Sequence, residues 1–174
     1  HPDDVEFGCG ATLAKWAAAG CLVHHLVFTD GSKGTWNASA DVASLIATRR
    51  HEQRAAARLL AGERAGEVVF LGEVDGELAK SLALRGEVAR AIRMLRPQVI
   101  LAHDPWKHYR LHPDHREAGL LACDGIVAAR DPHFKDYNYE AIFASPYLIC
   151  YSSDERLSEE DLLAIPKKDR QAKL

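Results

Sequence analysis

The chain has 174 residues, a length at which one globular domain with a sizeable core is the usual organisation. Its 22 Lys and Arg residues against 25 Asp and Glu residues give a net charge of -3, which argues against a nucleic-acid partner. No apolar run approaches the roughly 18 residues that a membrane span needs, so no span is expected. Cys9, Cys21, Cys123 and Cys150 form no CxxC pair, and we expect free thiols in a reducing compartment, which favours the cytoplasm.

Helical and extended patterns alternate along the chain. The helical patterns cover residues 10–19, 41–60, 78–95 and 113–129, and the strand patterns cover residues 21–29, 67–71, 98–103 and 147–151. This alternation predicts βαβ units, and therefore an α/β fold with a mostly parallel sheet flanked by helices.

The first four residues, His1-Pro2-Asp3-Asp4, carry ligand-type side chains with no strand before them. In an α/β protein a ligand loop normally follows a buried strand, so we expect the first strand of the sheet to be missing from the given chain. A targeting segment therefore cannot be judged from these residues. We predict one domain over residues 1–174, truncated at its N-terminus, and the helical pattern that begins at residue 171 raises the same question for its C-terminus.

Every polar cluster of interest is predicted at one edge of the sheet, because sites in open parallel sheets lie outside the carboxyl ends of the strands. His1-Pro2-Asp3-Asp4 would follow the missing strand, Thr29-Asp30-Gly31 follows the next strand, and residues 71–75 and 103–115 follow the two after that. This common placement is stronger support for a functional site than any single motif.

The second histidine motif, His112-Pro113-Asp114-His115, is predicted at a helix start, with His112 near the N-cap and His115 in the first turn. Residues three apart share a helix face, so both imidazoles can face one point, next to the positive end of the helix dipole. Alone, such a motif could be a capping cluster. Paired with the first motif, it offers His and Asp ligands that suit a catalytic zinc ion with an open position.

These motifs resemble the PIG-L/LmbE-like zinc deacetylases. His1-Pro2-Asp3-Asp4 with Glu6, residues 29–34 (Thr-Asp-Gly-Ser-Lys-Gly), Arg49-x-x-Glu52 and His112-Pro113-Asp114-His115 occur in that family's order. The resemblance implies a Rossmann-like fold with an incomplete second half. It also implies hydrolysis of a linear amide that is not a peptide, namely the N-acetyl or other N-acyl group of a glucosamine-containing substrate.

The resemblance also implies roles for individual residues. It makes His1, Asp4 and His115 the ligands of Zn²⁺. It makes Asp3 the general base that activates water, and it makes His112 the group that stabilises the oxyanion or protonates the leaving amine. From the residues alone, either Asp3 or Asp4 could face the metal, and His/Asp sites also accept other divalent metals. The expected partner is a small-molecule N-acyl amino-sugar conjugate, whereas the natural substrate and the oligomeric state stay open.

Two further residues are predicted to bind the substrate. Arg49 matches the family's substrate-contacting arginine, although Arg49, Arg50 and Arg54 would also suit a solvated helix face. Asp75 lies at the end of the third strand, where its carboxylate could accept sugar hydroxyls. An ordinary Asp-Gly turn is the alternative for that position.

Three other functions are compatible with parts of the sequence. The first is another metal-dependent hydrolase, either an amidase or a phosphoesterase. A phosphoesterase usually needs a second metal about 3.5–4 Å from the first. The groups left over for a second metal are His103, Asp104 and His108. A non-catalytic sugar-binding module would not need the intact His and Asp motifs. A dinucleotide enzyme is opposed by Phe7-Gly8-Cys9-Gly10, which lacks the third glycine of that motif.

Overall fold

The computed structural model describes residues 1–107, 111–134, 139–142 and 146–151. Within them, helices and strands alternate as predicted, and the α/β class with parallel strand pairing is confirmed. The elements in chain order are α1 (Asp4–Ala18), β1 (Val23–Thr29), α2 (Val42–Ala61), β2 (Ala65–Glu73), α3 (Leu82–Leu95), β3 (Val99–His103), α4 (Pro113–Arg130) and β4 (Tyr147–Tyr151). None of the helices in the described ranges is long and apolar enough to cross a membrane.

Two helices begin several residues away from their predicted starts. α1 begins at Asp4 rather than at residue 10, and its first turn contains Asp4 and Glu6, whose negative charges stabilise a helix N-terminus. α3 begins at Leu82 rather than at residue 78, because the side chain of Ser81 caps it by accepting from the N–H of Leu84 at 3.1 Å. The first histidine motif therefore forms the start of a helix itself.

The described residues form two compact units, and the first contains His1–Glu77. In it, β1 and β2 pair in parallel, with Val23 opposite Ala65 and Thr29 opposite Glu73. Alternate residues of β1 are buried, which is the period-2 pattern of a strand packed on one face. The buried apolar side chains of α1, β1 and α2 are Cys9, Leu13, Ala17, Val23, Val27, Ala57 and Ala61.

The second unit contains the described residues from Leu78 onward, with β3 and β4 paired in parallel along their whole length. Helices α3 and α4 approach closely at Gly125, where an added Cβ would lie 2.4 Å from Cγ1 of Val88. Their buried apolar residues include Leu84, Val88, Ala89, Ile92, Leu121, Ala122, Ile126 and Ala129. The organisation of residues 1–174 as one domain stays a prediction.

Arg93 of α3 anchors the end of α4, although it is a charged residue with only 3% of its surface exposed. Its guanidinium donates to five backbone carbonyls at and beyond the C-terminus of that helix. The carbonyls belong to Ala128, Ala129, Asp131, Phe134 and Tyr139. The last carbonyls of a helix have no partner within it, so Arg93 supplies the donors that they lack.

Replacing Arg93 by Met is expected to lower the free energy of unfolding by about 3 kcal/mol or more, because buried carbonyls would lose their charged donors. Arg90→Met is the matched control, since Arg90 lies on the same helix and pairs with Glu87 at the surface. That change should cost about 1 kcal/mol or less. Denaturant unfolding of both variants measures the difference, and equal losses would contradict the anchoring role.

Within each unit, polar residues follow the carboxyl ends of the strands, as predicted. In the first unit the N–H of Asp30, just after β1, donates to the carbonyl of Glu73 at the end of β2 at 2.8 Å. The turn continues through Gly31, whose φ of +71° is a conformation that favours glycine. This connection holds the Thr-Asp-Gly turn beside the segment that carries Asp75.

Candidate functional site

In the first unit, the His1 ring lies between the carboxylates of Asp4 and Asp75. His1 Nδ1 lies 2.9 Å from Asp4 Oδ2, and His1 Nε2 lies 3.2 Å from Asp75 Oδ1. An imidazole nitrogen and a carboxylate oxygen this close can both reach one ion about 2 Å away, so the donor set fits a divalent metal. A metal-binding histidine usually donates its other ring N–H to a carboxylate. Asp75 is in that position beside Nε2, which leaves Nδ1 as the nitrogen that can bind the ion.

Asp75 is held in place by the turn after β1. Its side chain is buried, Oδ2 accepts from the N–H of Lys33 at 3.2 Å, and its own N–H donates to Asp30 Oδ1 at 3.1 Å. Burial acts to raise the pKa of Asp30, but the bonds from Ser32 and Asp75 outweigh it and hold that pKa below its ordinary value. Asp75 thus contacts His1 and the turn, and its predicted role in substrate binding stays a prediction.

Asp3 is the N-cap residue of α1, and its carboxylate faces Arg49 rather than the His1 ring. Arg49 Nη2 donates to Asp3 Oδ2 at 2.5 Å and to the carbonyl of Pro2 at 2.8 Å. Partial burial raises the pKa of the Asp3 carboxyl, while the Arg49 guanidinium acts in the opposite direction. The two neighbouring carboxylates are therefore separated, with Asp4 beside His1 and Asp3 beside Arg49. Arg49 does more than form a solvated helix face.

A buried polar network behind this motif is a feature that the sequence reasoning missed. Gln53 of α2 is 2% exposed, and its Oε1 accepts from the N–H of Asp3 at 2.8 Å. Its Nε2 donates to Glu6 Oε1 at 2.8 Å and lies 3.1 Å from His25 Nδ1. The sequence signal for this network was His25, a polar residue at an inward-facing position of β1. Because Glu6 accepts from Gln53, it is more than a helix-terminal charge.

The His25 ring links this network to the stability of the fold. Burial lowers the pKa of His25 from 6.5 to about 4. Between these values the unfolded chain binds a proton that the folded chain does not, so stability present above pH 6.5 is lost as the pH falls toward about 4. The full shift corresponds to roughly 3 kcal/mol.

His25→Leu is expected to flatten this dependence, because the substituted chain cannot bind that proton when unfolded. The measurement is the free energy of unfolding by denaturant at several pH values between about 4 and 7. The difference between the wild-type and variant curves isolates His25 from other titrating groups. Parallel curves over the whole interval would contradict the prediction.

In the second unit, three histidine rings lie together at the start of α4. The rings of His103 and His115 are stacked, with centroids 4.2 Å apart, and the centroids of His112 and His115 are 5.0 Å apart. His112 is the N-cap residue and its side chain makes no capping hydrogen bond, so capping does not account for it. Asp114, which lies between His112 and His115 in the sequence, is buried, and its carboxylate accepts from the N–H of Leu78 at 3.2 Å. The predicted shared face of His112 and His115 is confirmed.

A glycine brings α4 close to the end of β3. A Cβ added at Gly119 would lie 2.3 Å from the carbonyl oxygen of His103 and 2.9 Å from Cδ of Pro105. Only a residue without a side chain allows this approach. The stacking of His103 on His115 therefore depends on Gly119, one turn further along the helix.

The predicted site residues fall into the two units. His1, Asp3, Asp4, Arg49 and Asp75 belong to the first unit and His112 and His115 to the second. His108, a spare group for a second metal, lies outside the described residues. The roles assigned to the site residues stay predictions.

Comparison with known proteins identifies the family. The family model for PIG-L, GlcNAc-PI de-N-acetylase, matches residues 1–125. The chain belongs to the PIG-L family. This result confirms the resemblance drawn from the motifs, since residues 1–125 include both histidine motifs.

Similarity to individual proteins supports the same family assignment. The chain is 36% identical to a diacetylchitobiose deacetylase of Thermococcus kodakarensis over 77% of its length and 49% of the relative's. It is 30% identical to a 1D-myo-inositol 2-acetamido-2-deoxy-alpha-D-glucopyranoside deacetylase of Mycolicibacterium vanbaalenii, over 74% of its length and 52% of the relative's. The chain thus spans about half the length of these curated relatives.

A solved structure supports the fold. The N,N'-diacetylchitobiose deacetylase from Pyrococcus horikoshii, in complex with its inhibitor MPG, superposes with a TM-score of 0.83 at 30% identity. The match covers 97% of this chain and 64% of that one. The predicted α/β fold of the PIG-L family is therefore confirmed.

Proposed function

We propose that this protein is a metal-dependent N-deacetylase that hydrolyses the N-acetyl or another N-acyl group of a small glucosamine-containing molecule. Membership of the PIG-L family supports the proposal, and so do relatives named for deacetylating diacetylchitobiose and an acetamido-glucopyranoside of inositol. A cytoplasmic location is part of the proposal, supported by the free thiols of Cys9, Cys21 and Cys123.

The observation that carries the proposal is the separation of the two carboxylates in His1-Pro2-Asp3-Asp4. The Asp4 carboxylate lies against the His1 ring, where a metal ligand is needed, and the Asp3 carboxylate lies against Arg49. A hydrolase of this kind needs one carboxylate to bind the metal and another to accept a proton. The arrangement matches that division of labour.

We assign His1, Asp4 and His115 as the metal ligands, with zinc as the preferred ion. Support comes from the His1–Asp4 geometry and from the position of His115 in the first turn of α4. When bound, a divalent metal supplies Lewis acidity, which polarises the amide carbonyl and lowers the pKa of water.

The chain's own residues would move the protons. Asp3 accepts a proton from the attacking water, and its raised pKa makes the carboxylate a better proton acceptor. His112, exposed at the positive end of α4, donates to the oxyanion of the tetrahedral intermediate or protonates the leaving amine. Arg49 and Asp75 would bind hydroxyls of the sugar.

The test is a screen for amine release from N-acetylglucosamine, N,N'-diacetylchitobiose and N-acetylglucosamine–inositol conjugates, each with added zinc and with a chelator. An acetylated peptide and a phosphate monoester serve as controls for peptidase and phosphoesterase activity. We expect amine release only from the amino sugars and only with metal. Hydrolysis of the phosphate monoester alone would overturn the proposal in favour of a phosphoesterase, and no turnover at all would favour a binding module.

A further inference from the structure

Helix α2 binds both sides of one peptide bond in the first histidine motif. The peptide joins Pro2 to Asp3. Its carbonyl accepts from Arg49 Nη2 at 2.8 Å, and its N–H donates to Gln53 Oε1 at 2.8 Å. Arg49 and Gln53 are four residues apart, so they lie on the same face of the helix. Because both groups of the peptide are bound, its plane cannot rotate without breaking one of the two bonds.

This peptide needs such support because of the residue that follows it. Asp3 has a φ of +95°, a conformation that residues with a Cβ rarely adopt and that is held only where the surroundings impose it. The direction of the Asp3 side chain depends on that backbone conformation. Arg49 also contacts the Asp3 carboxylate directly, whereas Gln53 contacts only its N–H.

The orientation of the Gln53 amide is set by Glu6 and His25. Its Nε2 donates to Glu6 Oε1 and lies 3.1 Å from His25 Nδ1, and both are acceptors when His25 carries its proton on Nε2. Two acceptors on this side keep the amide nitrogen there, which leaves the oxygen to face Asp3. An apolar residue would be the ordinary choice at a helix position that is 2% exposed.

We propose that Gln53 is a positioning residue that holds the Pro2–Asp3 peptide and thereby aims the Asp3 carboxylate at its water. The inference rests on the proposed function, because it needs Asp3 to act as a base. Glu6 and His25 contribute indirectly, by orienting the Gln53 amide. A side chain that served only to fill the core would act on stability and leave the proton transfer unchanged.

The first experiment replaces Gln53 by Met, which has a similar length and cannot accept from the Asp3 N–H. We expect kcat for amine release to fall on the order of 10-fold or more, since misplacement by about 1 Å can cost about 10²-fold. KM and the metal bound per chain should stay at wild-type values. His51→Gln, an exposed change on the same helix, is the control and should leave kcat unchanged.

A double-mutant cycle separates positioning from a general structural role. In an Asp3→Asn background the base is already lost, so adding Gln53→Met should change kcat by no more than about twofold. Hydrogen exchange of the Asp3 amide, followed by NMR, should accelerate in Gln53→Met and stay slow in His51→Gln. This second readout does not depend on activity.

A swap of the two partners tests the same contact in variants that retain the polar network. Gln53→Glu keeps an oxygen that can accept from the Asp3 N–H, but it replaces the donor to Glu6 by a second carboxylate. Repulsion between the two carboxylates should move the side chain away from the Asp3 N–H and lower kcat. Combining it with Glu6→Gln returns a donor between the two side chains while the oxygen of residue 53 still accepts from the Asp3 N–H, and kcat should recover. These variants decide the question even if Gln53→Met does not fold.

The outcomes distinguish this inference from the function on which it rests. Amine release by the wild type with normal kcat in Gln53→Met overturns the positioning role and leaves the proposed function intact. An equal loss in the wild-type and Asp3→Asn backgrounds overturns it as well, because the effect would not pass through Asp3. A wild type that releases no amine from any amino sugar overturns the proposed function itself.

Discussion

Asp3→Asn is expected to lower kcat for amide hydrolysis by about 10²–10⁴-fold, while the metal bound per chain stays at its wild-type value. Asn keeps the size of the side chain and an oxygen for Arg49, but it cannot accept the proton of the attacking water. The Asp3 carboxylate faces Arg49 rather than His1, so its loss should not remove a metal ligand. Steady-state kinetics and elemental analysis of the purified variant measure both quantities.

Glu52→Gln is the matched control for this substitution. Glu52 also offers its carboxylate to Arg49, at 2.6 Å, but it lies on the exposed surface of α2. Its neutralisation should lower kcat far less than Asp3→Asn does, because Glu52 cannot act as the base. The assignment is reversed if Asp3→Asn empties the metal site while Asp4→Ala leaves it filled.

The second large effect is expected from His115→Ala, which should lower the affinity for zinc by more than about 100-fold. Removing a residue that only hydrogen-bonds a metal ligand already lowers metal affinity by about 10–100-fold, so removing a ligand itself should cost more. Asp4→Ala should do the same. His112→Ala should keep the metal, although it lies in the same turn of α4 as His115. Competition with a chromogenic chelator gives the affinities, and metal content gives the stoichiometry.

His103 provides the sharpest alternative to this ligand assignment. Its ring is stacked on that of His115, with centroids 4.2 Å apart, so either imidazole is placed at the carboxyl end of β3. If His103→Ala loses the metal and His115→Ala retains it, then His103 is the ligand. In that case His115 would be the ring that packs against it.

The elements of the fold were predictable because their patterns are local. β4 was predicted with its observed bounds, residues 147–151, and the start of α4 followed from Pro113. The start of α1 was missed by six residues, because Gly8 and Gly10 lower helix propensity although the charges of its first turn favour a helix. The cap of α3 was missed because Leu78 and Ala79 suit a helix as well as Leu82 does.

The site was predictable in composition but not in its internal contacts. The histidine motifs are short and contiguous, so the sequence alone indicated a metal-type cluster. The division between Asp3 and Asp4 required the backbone conformation of Asp3, which no sequence pattern encodes. The bond from Asp3 to Gln53 joins residues 50 positions apart, and it exists only because α2 packs on α1.

The φ of +95° at Asp3 limits which amino acids can occupy that position, independently of any chemistry. Asn, Asp and Gly enter this region of backbone space most readily, whereas β-branched and long side chains do so at a cost. Proton transfer asks separately for a carboxylate, which excludes Asn and Gly. Asp is the one residue that meets both demands, so Glu should fail here on backbone grounds even though it carries the same functional group.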